Sequence, residues 1–292
     1  MIEDLFEEII KQNVSEDAWN WIEERSALLN KDAKATQLNI AFTAVPRKTG
    51  KKMIEISTEE ANEIDAILPG FSILGWTIER LSRVWLLMNL SSADKDNYIR
   101  LIENLFKAAE MNELVALYSS LPLLAYPEAW KFRCTEGIRS NIGNVLEAIM
   151  YENPYPSKYL DEPGWNQMVL KAFFTDKNVE RITGLDQRAN KRLASILFDY
   201  AHERWSAHRS VNPQLWRLVG KFIDQDNFSD IQKLFQEGNP SEKKAAALAL
   251  SESDFVPAKN LLNQTDDLKN AIGEKTLTWS SLIKEMKKFS SN

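Results

Sequence analysis

The sequence has few residues that interrupt helices and no apolar stretch long enough to cross a membrane. Gly and Pro number 10 each among 292 residues, whereas the two together make up roughly 12% of an average protein. No stretch approaches the run of about 18 apolar residues that marks a transmembrane segment. The scarcity of chain breakers favours long helices, and we expect no integral membrane segment.

Residues that commonly carry chemistry are equally scarce. The chain has 1 cysteine and 2 histidines, which excludes an internal disulfide framework and a multi-cysteine metal site. His202 and His208 are wrongly spaced to share one helix face, and Cys134 is best interpreted as a small core residue. The sequence contains no Gly-rich phosphate loop and no H-E-x-x-H or G-x-S-x-G motif. We therefore predict no catalytic residue, no metal ligand and no cofactor.

Positive charge is not in excess, because the formal net charge is −6. A protein that binds nucleic acid or an anionic membrane presents a basic surface, so the composition argues against nucleic acid as a partner. The first residues, MIEDLFEEII, are acidic and lack the basic start of a signal peptide. We expect a cytoplasmic protein.

Apolar residues recur at helical spacing along most of the chain, and 44% of all residues are hydrophobic. Short connections between the apolar segments favour antiparallel neighbouring helices. The pattern predicts helices at 2–12, 16–29, 75–89, 94–109, 111–121, 127–149, 164–174, 189–206, 213–223, 227–236, 240–250, 257–263 and 275–288.

These segments predict an all-α protein, an irregular array of antiparallel helical hairpins that resembles a HEAT-like α-solenoid. We expect one domain over residues 1–292, with 264–292 as a separate terminal helix. The stretch NPSEKKAAALALSES resembles one helix of a HEAT repeat, although no fixed period runs through the chain.

The stretch 45–57 is charged and contains Gly and Pro, and it is predicted to be a loop insertion. Its four bases are Arg47, Lys48, Lys51 and Lys52. They indicate either a solvated loop or a tip that docks a partner.

Three predicted helices carry polar stripes beside their apolar faces. In 75–89, Arg80 and Arg83 lie one turn apart and near Trp76. Two arginines beside an aromatic ring can hold a carboxylate or a phosphate. Alternatively, Arg83 is the i,i+4 ion-pair partner of Glu79 on a solvated face. Arg80 and Arg83 are candidate ligand-binding residues.

The second stripe lies in 136–149, where Glu136, Arg139 and Glu147 flank an apolar face. Gly143 falls inside this predicted helix, where glycine costs about 1 kcal/mol relative to alanine. The cost predicts that a neighbouring helix or a ligand lies against Gly143. We include the three charged residues among the candidate ligand-binding residues.

The third stripe lies in 164–174, a segment that is apolar on most sides and should be buried, with Trp165 in its core. Asn166 and Lys171 belong to its narrow polar strip. A buried ammonium needs a partner, and Glu147 or Glu136 would suit Lys171. Trp165, Asn166 and Lys171 are therefore further ligand-binding candidates.

The segment MYENPYPSKYLDEPGW precedes and enters the third stripe. Pro154, Pro156 and Pro163 are predicted to prevent helix formation and to stiffen a crossover between two sets of helices. Tyr155 could then form one wall of a pocket, and it is the last ligand-binding candidate. The segment could equally be a simple packed connector.

Successive blocks of the sequence resemble the EboA family in their order along the chain. The blocks are FTAVPRKTGK, GWTIERLSRVWLL, AEMNELVALYSSLPLLAYPEAW, EGIRSNIGNVLEAIMYENPYP, WNQMVLKAFF, GLDQRANKRLASILFDYAHERW and AAALAL. The resemblance runs from about Ala41 to Leu250. It implies a role in moving a secondary-metabolite precursor towards the cell envelope, and it supplies no catalytic residue.

The resemblance and the residues together give three functional hypotheses. The leading one is a non-catalytic helical adaptor that binds a small-molecule metabolite, proteins of the same biosynthetic cluster, or both. The second is an enzyme that acts on a small aromatic or isoprenoid-like compound through Glu136, Arg139, Glu147 and Lys171. The third is a pure protein–protein scaffold. A pocket lined by aromatic and polar groups would favour the first two.

Overall fold

The computed structural model describes residues 1–290, and that part of the chain contains helices and connecting segments but no β-strand. The all-α prediction is confirmed. The chain divides into two compact units, of which the first comprises Met1–Met168 and Glu180–Gly184, and the second Val169–Val179 and the residues from Leu185 onward. The HEAT-like solenoid and the single domain stay predictions, and the last two residues of the predicted domain lie outside the described part.

Most helices belong wholly to one of the two units, and α11 crosses the boundary between them. The helices are α1 (Ile2–Asn13), α2 (Glu16–Lys31), α3 (Ala35–Thr49), α4 (Thr58–Ile67), α5 (Ile78–Met88), α6 (Lys95–Ala108), α7 (Met111–Ser120), α8 (Lys131–Arg139), α9 (Gly143–Met150), α10 (Tyr155–Tyr159), α11 (Glu162–Phe174), α12 (Lys191–Ser206), α13 (Phe228–Glu237), α14 (Pro240–Glu252), α15 (Val256–Leu262), α16 (Asp266–Gly273) and α17 (Trp279–Ser290). Short 3₁₀ helices occupy Leu121–Leu123, Pro127–Trp130, Val179–Arg181, Pro213–Leu218 and Gly220–Phe222.

Helix α5 is the core of the first unit. It begins after Thr77, whose hydroxyl accepts a hydrogen bond from the backbone N–H of Arg80, as an N-cap residue does. Apolar residues cover most of its circumference, and nine of its 11 residues are buried. It packs against α1, α2, α3 and α7. The predicted helix 75–89 is therefore the central helix of the first unit.

Helix α3 continues to Thr49, so the predicted loop 45–57 is wrong in its first five residues. Pro46 lies inside the helix, and because proline has no backbone N–H, the carbonyl of Phe42 loses its helical donor. Arg83 replaces that donor, since its Nε donates to the Phe42 carbonyl at 2.9 Å. The loop proper begins at Gly50, which has a φ of 77°.

The predicted helix 127–149 is divided between a 3₁₀ turn, α8 and α9. Gly143 is the first residue of α9, so the premise that it sits in the middle of a helix is wrong. The close approach occurs at Gly137 instead. A Cβ at this position would lie 2.5 Å from Cδ1 of Ile149 and 2.6 Å from the ring of Tyr118.

The Pro- and Tyr-containing segment is helical in part, which contradicts the prediction that its prolines prevent helix formation. Pro156 occupies the first turn of α10, and Pro163 the first turn of α11. Proline is tolerated there because first-turn N–H groups have no partner inside the helix. The predicted burial within α11 is confirmed, since Trp165 and Met168 are both fully buried.

Helix α14 is the core of the second unit. Asn239 caps it: the side chain accepts from the Glu242 N–H at 3.0 Å, and the Glu242 carboxylate accepts from the Asn239 N–H at 2.8 Å. The six residues from Ala245 to Leu250 are all buried. The helix packs against α13, α15, α16 and α17.

The predicted terminal helix 264–292 is two helices, α16 and α17, as far as the structure describes the chain. Both pack on α14. Lys244 of α14 binds both carboxylate oxygens of Glu285 at 2.6 and 2.7 Å. The segment belongs to the second unit.

Candidate functional site

A cavity of about 320 Å³ lies wholly within the first unit. Its walls come from the segment 74–77, the N-terminal halves of α5 and α7, one side of α9, the connection after α9 and Arg181. We call it the Arg80 cavity. Its volume falls at the low end of the range for small-molecule sites, about 300–1,000 Å³.

Arg80 extends from the first turn of α5 along the ring of Trp76. Its Cζ atom lies 3.9 Å from the ring centroid, and its Nε donates to the hydroxyl of Ser119 at 2.8 Å. Phe71 packs edge-on against the same indole, with ring centroids 5.7 Å apart. The guanidinium is therefore held flat by a ring that is itself fixed.

No carboxylate of the described residues lies within ion-pair distance of Arg80. Burial and, to a smaller extent, the charge of Arg181 lower the pKa of Arg80 to about 9, while Glu152 opposes the shift. A group with this pKa remains protonated at neutral pH. Arg80 is thus a positive charge in a largely desolvated position, a situation that an anionic partner would relieve.

Arg181 is the second arginine of the cavity, and its charge is already neutralised. It binds Glu152 through Nε at 3.0 Å and Nη2 at 2.8 Å. Its Cζ lies 4.5 Å from the centroid of the Tyr151 ring. The hydrogen bond to Glu152 raises the pKa of Arg181, and the charge of Glu147 contributes in the same direction.

The backbone around Glu152 is held in an unusual conformation. Glu152 has a φ of 48°, in the left-handed region that residues with a side chain seldom adopt. Its N–H donates to the Arg181 carbonyl at 2.8 Å, and its carbonyl accepts from the Ser72 N–H at 3.2 Å. A bridge between Tyr151 and Ile182 completes the connection. Strain held by such tertiary contacts is concentrated at functional sites.

Three helix N-termini contribute to the cavity walls, those of α5, α7 and α9. The N-terminal end of a helix carries partial positive charge, which favours a nearby anion. Asn144 lies in the first turn of α9, a helix whose N-cap residue, Ile142, offers no side-chain cap. The first turns of these helices therefore favour a nearby anion, as Arg80 does.

The basic loop is anchored beside this cavity. The Ile78 N–H donates to the Lys52 carbonyl at 2.9 Å, and the Ile54 N–H donates to the Trp76 carbonyl at 3.0 Å. These bonds run on both sides of a bridge between Met53 and Thr77, a residue of the cavity wall. Cationic and apolar residues of the loop therefore adjoin the cavity mouth.

Of the nine candidate residues, the cavity wall contains Arg80 and Glu147. Arg83 is buried instead: its Nη1 lies 3.1 Å from Glu79 and its Nη2 lies 3.8 Å from Glu113. The i,i+4 pair with Glu79 therefore exists, but in the core and not on a solvated face.

Glu136 and Arg139 do not line the cavity. Glu136 is exposed and pairs with Nη1 of Arg133 at 2.5 Å. Arg139 is exposed at the last residue of α8. The break between α8 and α9 separates both residues from the face that carries Glu147.

Tyr155, Trp165 and Asn166 are buried in the first unit, outside the cavity wall. The Tyr155 hydroxyl donates to the Pro127 carbonyl at 2.6 Å. Lys171 belongs to the second unit and is half-buried. The structure of the first unit thus supports a packing role for Tyr155 in the crossover.

Among the charged and amide residues of the wall, sequence reasoning missed Asn112, Asn144, Glu152 and Arg181. Glu152 and Arg181 are 29 positions apart and meet through backbone pairing. No local pattern marks that pairing. The two asparagines lie in first turns of their helices, and the continuous helix predicted at 127–149 concealed the start of α9 at which Asn144 lies.

The described residues offer neither a metal-holding cluster nor a membrane-spanning helix. No group of three or more His, Cys, Asp and Glu side chains is arranged to hold a metal ion. None of the helices is long and apolar enough to span a membrane.

Comparison with known proteins gives one match. The family model described as "Metabolite traffic protein EboA" matches residues 2–220, which include the whole Arg80 cavity. No curated protein and no solved structure matches the chain.

Proposed function

Since the chain belongs to the EboA family of metabolite traffic proteins, we propose that it is a non-catalytic binding protein that holds a small metabolite in the Arg80 cavity. In this role it is a cytoplasmic adaptor for a secondary-metabolite precursor on its way to the cell envelope. Proteins of the same biosynthetic cluster are then its partners for receiving or handing on the metabolite.

The observation that carries the proposal is the state of Arg80. Its guanidinium is stacked on Trp76 inside a cavity of ligand size and has no carboxylate partner among the described residues. Maintaining an unneutralised charge in a desolvated position costs stability. Such a cost is typical of a group kept ready for a ligand.

Binding is favoured over chemistry by the way two of the three acidic residues of the cavity wall are paired. Glu152 is held by two hydrogen bonds from Arg181, and Glu79 pairs with Arg83 at 3.1 Å. A carboxylate fixed in an ion pair is a poor general acid or base, because the pair stabilises its ionised form. Positioned but unreactive groups suit a carrier.

The experiment is purification of the protein from its native host, followed by mass spectrometry of the small molecules that remain bound. We expect a compound that accompanies the wild type and is lost from Arg80→Gln. Arg25→Gln is the matched control, because Arg25 also lies over a tryptophan ring, 6.0 Å from Trp21, but outside the cavity. Its variant should retain the compound.

Two results would count against this function. Equal recovery of the compound from wild type and Arg80→Gln would exclude the Arg80 cavity as the binding site. Conversion of the recovered compound by the purified wild type would favour the enzyme hypothesis, since a carrier returns its cargo unchanged.

A further inference from the structure

We propose that the ligand of the Arg80 cavity is a small monocarboxylate, which Arg80 binds end-on through Nη1 and Nη2 while the apolar part of the molecule lies at the mouth near Leu74 and Met53. This inference rests on the proposed function and adds the chemical class of the cargo to it.

The first argument is the geometry of the Arg80 donors. Stacking on Trp76 fixes the plane of the guanidinium, and the hydrogen bond to Ser119 occupies Nε. The two Nη atoms retain their four N–H groups. Two parallel N–H donors at the end of a fixed planar group match the two oxygens of a carboxylate.

The second argument is charge. Arg181 is neutralised by Glu152, and Glu79 is neutralised by Arg83. The charged groups that influence the pKa of Arg80 are Arg181 and Glu152, which oppose each other. Arg80 is therefore the arginine of the cavity wall that is not paired with a carboxylate of the described residues. A carboxylate supplies one negative charge, whereas a phosphate monoester carries nearly two at neutral pH and would bring the second into a cavity whose wall also contains the Glu147 carboxylate.

The third argument is the apolar surface at the mouth. Leu74 is 56% exposed and Met53 is 54% exposed, so two apolar side chains face solvent beside the cavity. Leu74 belongs to the cavity wall, and Cε of Met53 lies 4.0 Å from the position that a Cβ on the wall residue Gly75 would take. The apolar body of an amphipathic acid would cover both side chains.

Lys51 and Lys52 strengthen the case for an acid. Both are exposed, and the Lys52 carbonyl is hydrogen-bonded to the first residue of α5, next to the cavity wall. Exposed cations beside a cavity raise the local concentration of an anionic ligand and increase its association rate. This effect weakens as salt is added.

The test uses the small-molecule extract of the host as the probe. The purified full-length chain is equilibrated with the extract by dialysis, and the compounds enriched on the protein side are measured by mass spectrometry. The extract is tested both untreated and after methylation, which converts carboxylates to neutral esters. Wild type, Arg80→Gln, Arg80→Lys and Arg25→Gln are compared.

We expect wild type and Arg25→Gln to enrich a compound that methylation alters and that is no longer enriched as its methyl ester. Arg80→Gln should reduce the enrichment about 10- to 100-fold, as expected for the loss of hydrogen bonds to a charged group. Arg80→Lys should recover only part of the binding, because an ammonium cannot present two parallel donors.

The outcomes separate the two proposals. If the Arg80-dependent compound is unaffected by methylation, the monocarboxylate class is wrong, while small-molecule binding in the cavity stands. If methylation identifies a compound with more than one acidic group, the charge argument is wrong. If no compound depends on Arg80, both the ligand class and the proposed function are overturned.

Discussion

Arg83 provides the sharpest test of the distinction between binding and packing in the first unit. It lies one turn after Arg80 and was predicted from sequence to bind ligand, yet it is 3% exposed. Its Nε donates to the Phe42 carbonyl, and its Nη atoms face Glu79 and Glu113. We predict that Arg83→Met destabilises the protein severely.

The size of the effect follows from the groups that would be left without a partner. Glu113 keeps the Thr43 hydroxyl and the Glu110 N–H, both at 3.0 Å. Glu79 would keep no ion-pair partner among the described residues. Removing one partner of a buried pair costs about 3–5 kcal/mol, and losing the bond to Phe42 adds about 1 kcal/mol. We therefore expect a loss of roughly 4–6 kcal/mol, a large part of the usual 5–15 kcal/mol.

The assay is equilibrium unfolding in urea, read as the free energy of unfolding at constant m-value. Arg100→Met is the control, because Arg100 is exposed and, among the described residues, its hydrogen-bond partner is Asn97 of its own helix. The double variant Glu79→Met/Arg83→Met should recover more than half of the loss, since replacing both partners by apolar groups leaves no buried charge in that pair.

A loss from Arg83→Met no larger than that from Arg100→Met would refute the structural role. So would a double variant whose loss equals the sum of the two single losses, because the pair would then show no coupling. If Arg83→Lys folds with normal stability and yet loses the bound compound, Arg83 is a ligand-binding residue after all.

Four further predictions concern pH, packing and reactivity. Carboxylate binding should weaken as the pH passes about 9, where Arg80 loses its proton, and dialysis from neutral to alkaline pH measures this. Gly137→Ala should lower the melting temperature, because overpacking costs about 1–3 kcal/mol; Gly273→Ala, with nothing within 4 Å of its Cβ position, should not. Burial raises the pKa of Glu252, so its stabilising contribution is lost as the pH rises above 4.5, and Glu252→Gln should be more stable than wild type at neutral pH but not in acid. Burial also raises the pKa of the Cys134 thiol, so iodoacetamide should label it only after denaturation.

Most of the helices could be predicted from sequence because their determinants are local. The predicted helix 16–29 begins where α2 does, after Ser15, whose hydroxyl accepts from the Ala18 N–H at 3.3 Å. The apolar periphery of 164–174 correctly predicted burial of Trp165. Capping and the 3.6-residue period act within one or two turns, so a sequence window contains all the relevant atoms.

The errors arose where distant residues decide the local conformation. A proline such as Pro46 normally marks the end of a helix. Helix α3 continues beyond it, and Arg83, which lies 41 positions after Phe42, donates to the Phe42 carbonyl in place of the missing N–H. The opposite error concerns 140–142. Apolar residues recur at helical spacing across this segment, yet it is not helical. The Ser140 hydroxyl accepts from the Ile142 N–H there, at 3.1 Å, and favours a turn.

The candidate site could be predicted only in part for the same reason. Arg80 was found because an arginine beside an aromatic ring on one helix is a local pattern. Arg181 could not be found, since its position depends on the bridge between Tyr151 and Ile182. Glu136 was placed in one stripe with Glu147 because 136–149 was taken as continuous helix, and the chain breaks there between α8 and α9.

Arg80 and Arg83 show how one short segment can serve both the core and a cavity. Arg80 and Arg83 are three positions apart and therefore lie on the same face of α5. The groups that surround each of them nevertheless differ. Around Arg83 lie two carboxylates, Glu79 and Glu113, and the carbonyl that lacks a helical donor because of Pro46. At the level of Arg80, the chain supplies a ring and a hydroxyl, neither of which carries charge. Trp76 and Ser119 thus fix the orientation of Arg80 without neutralising its charge. A negatively charged ligand in the Arg80 cavity would neutralise it.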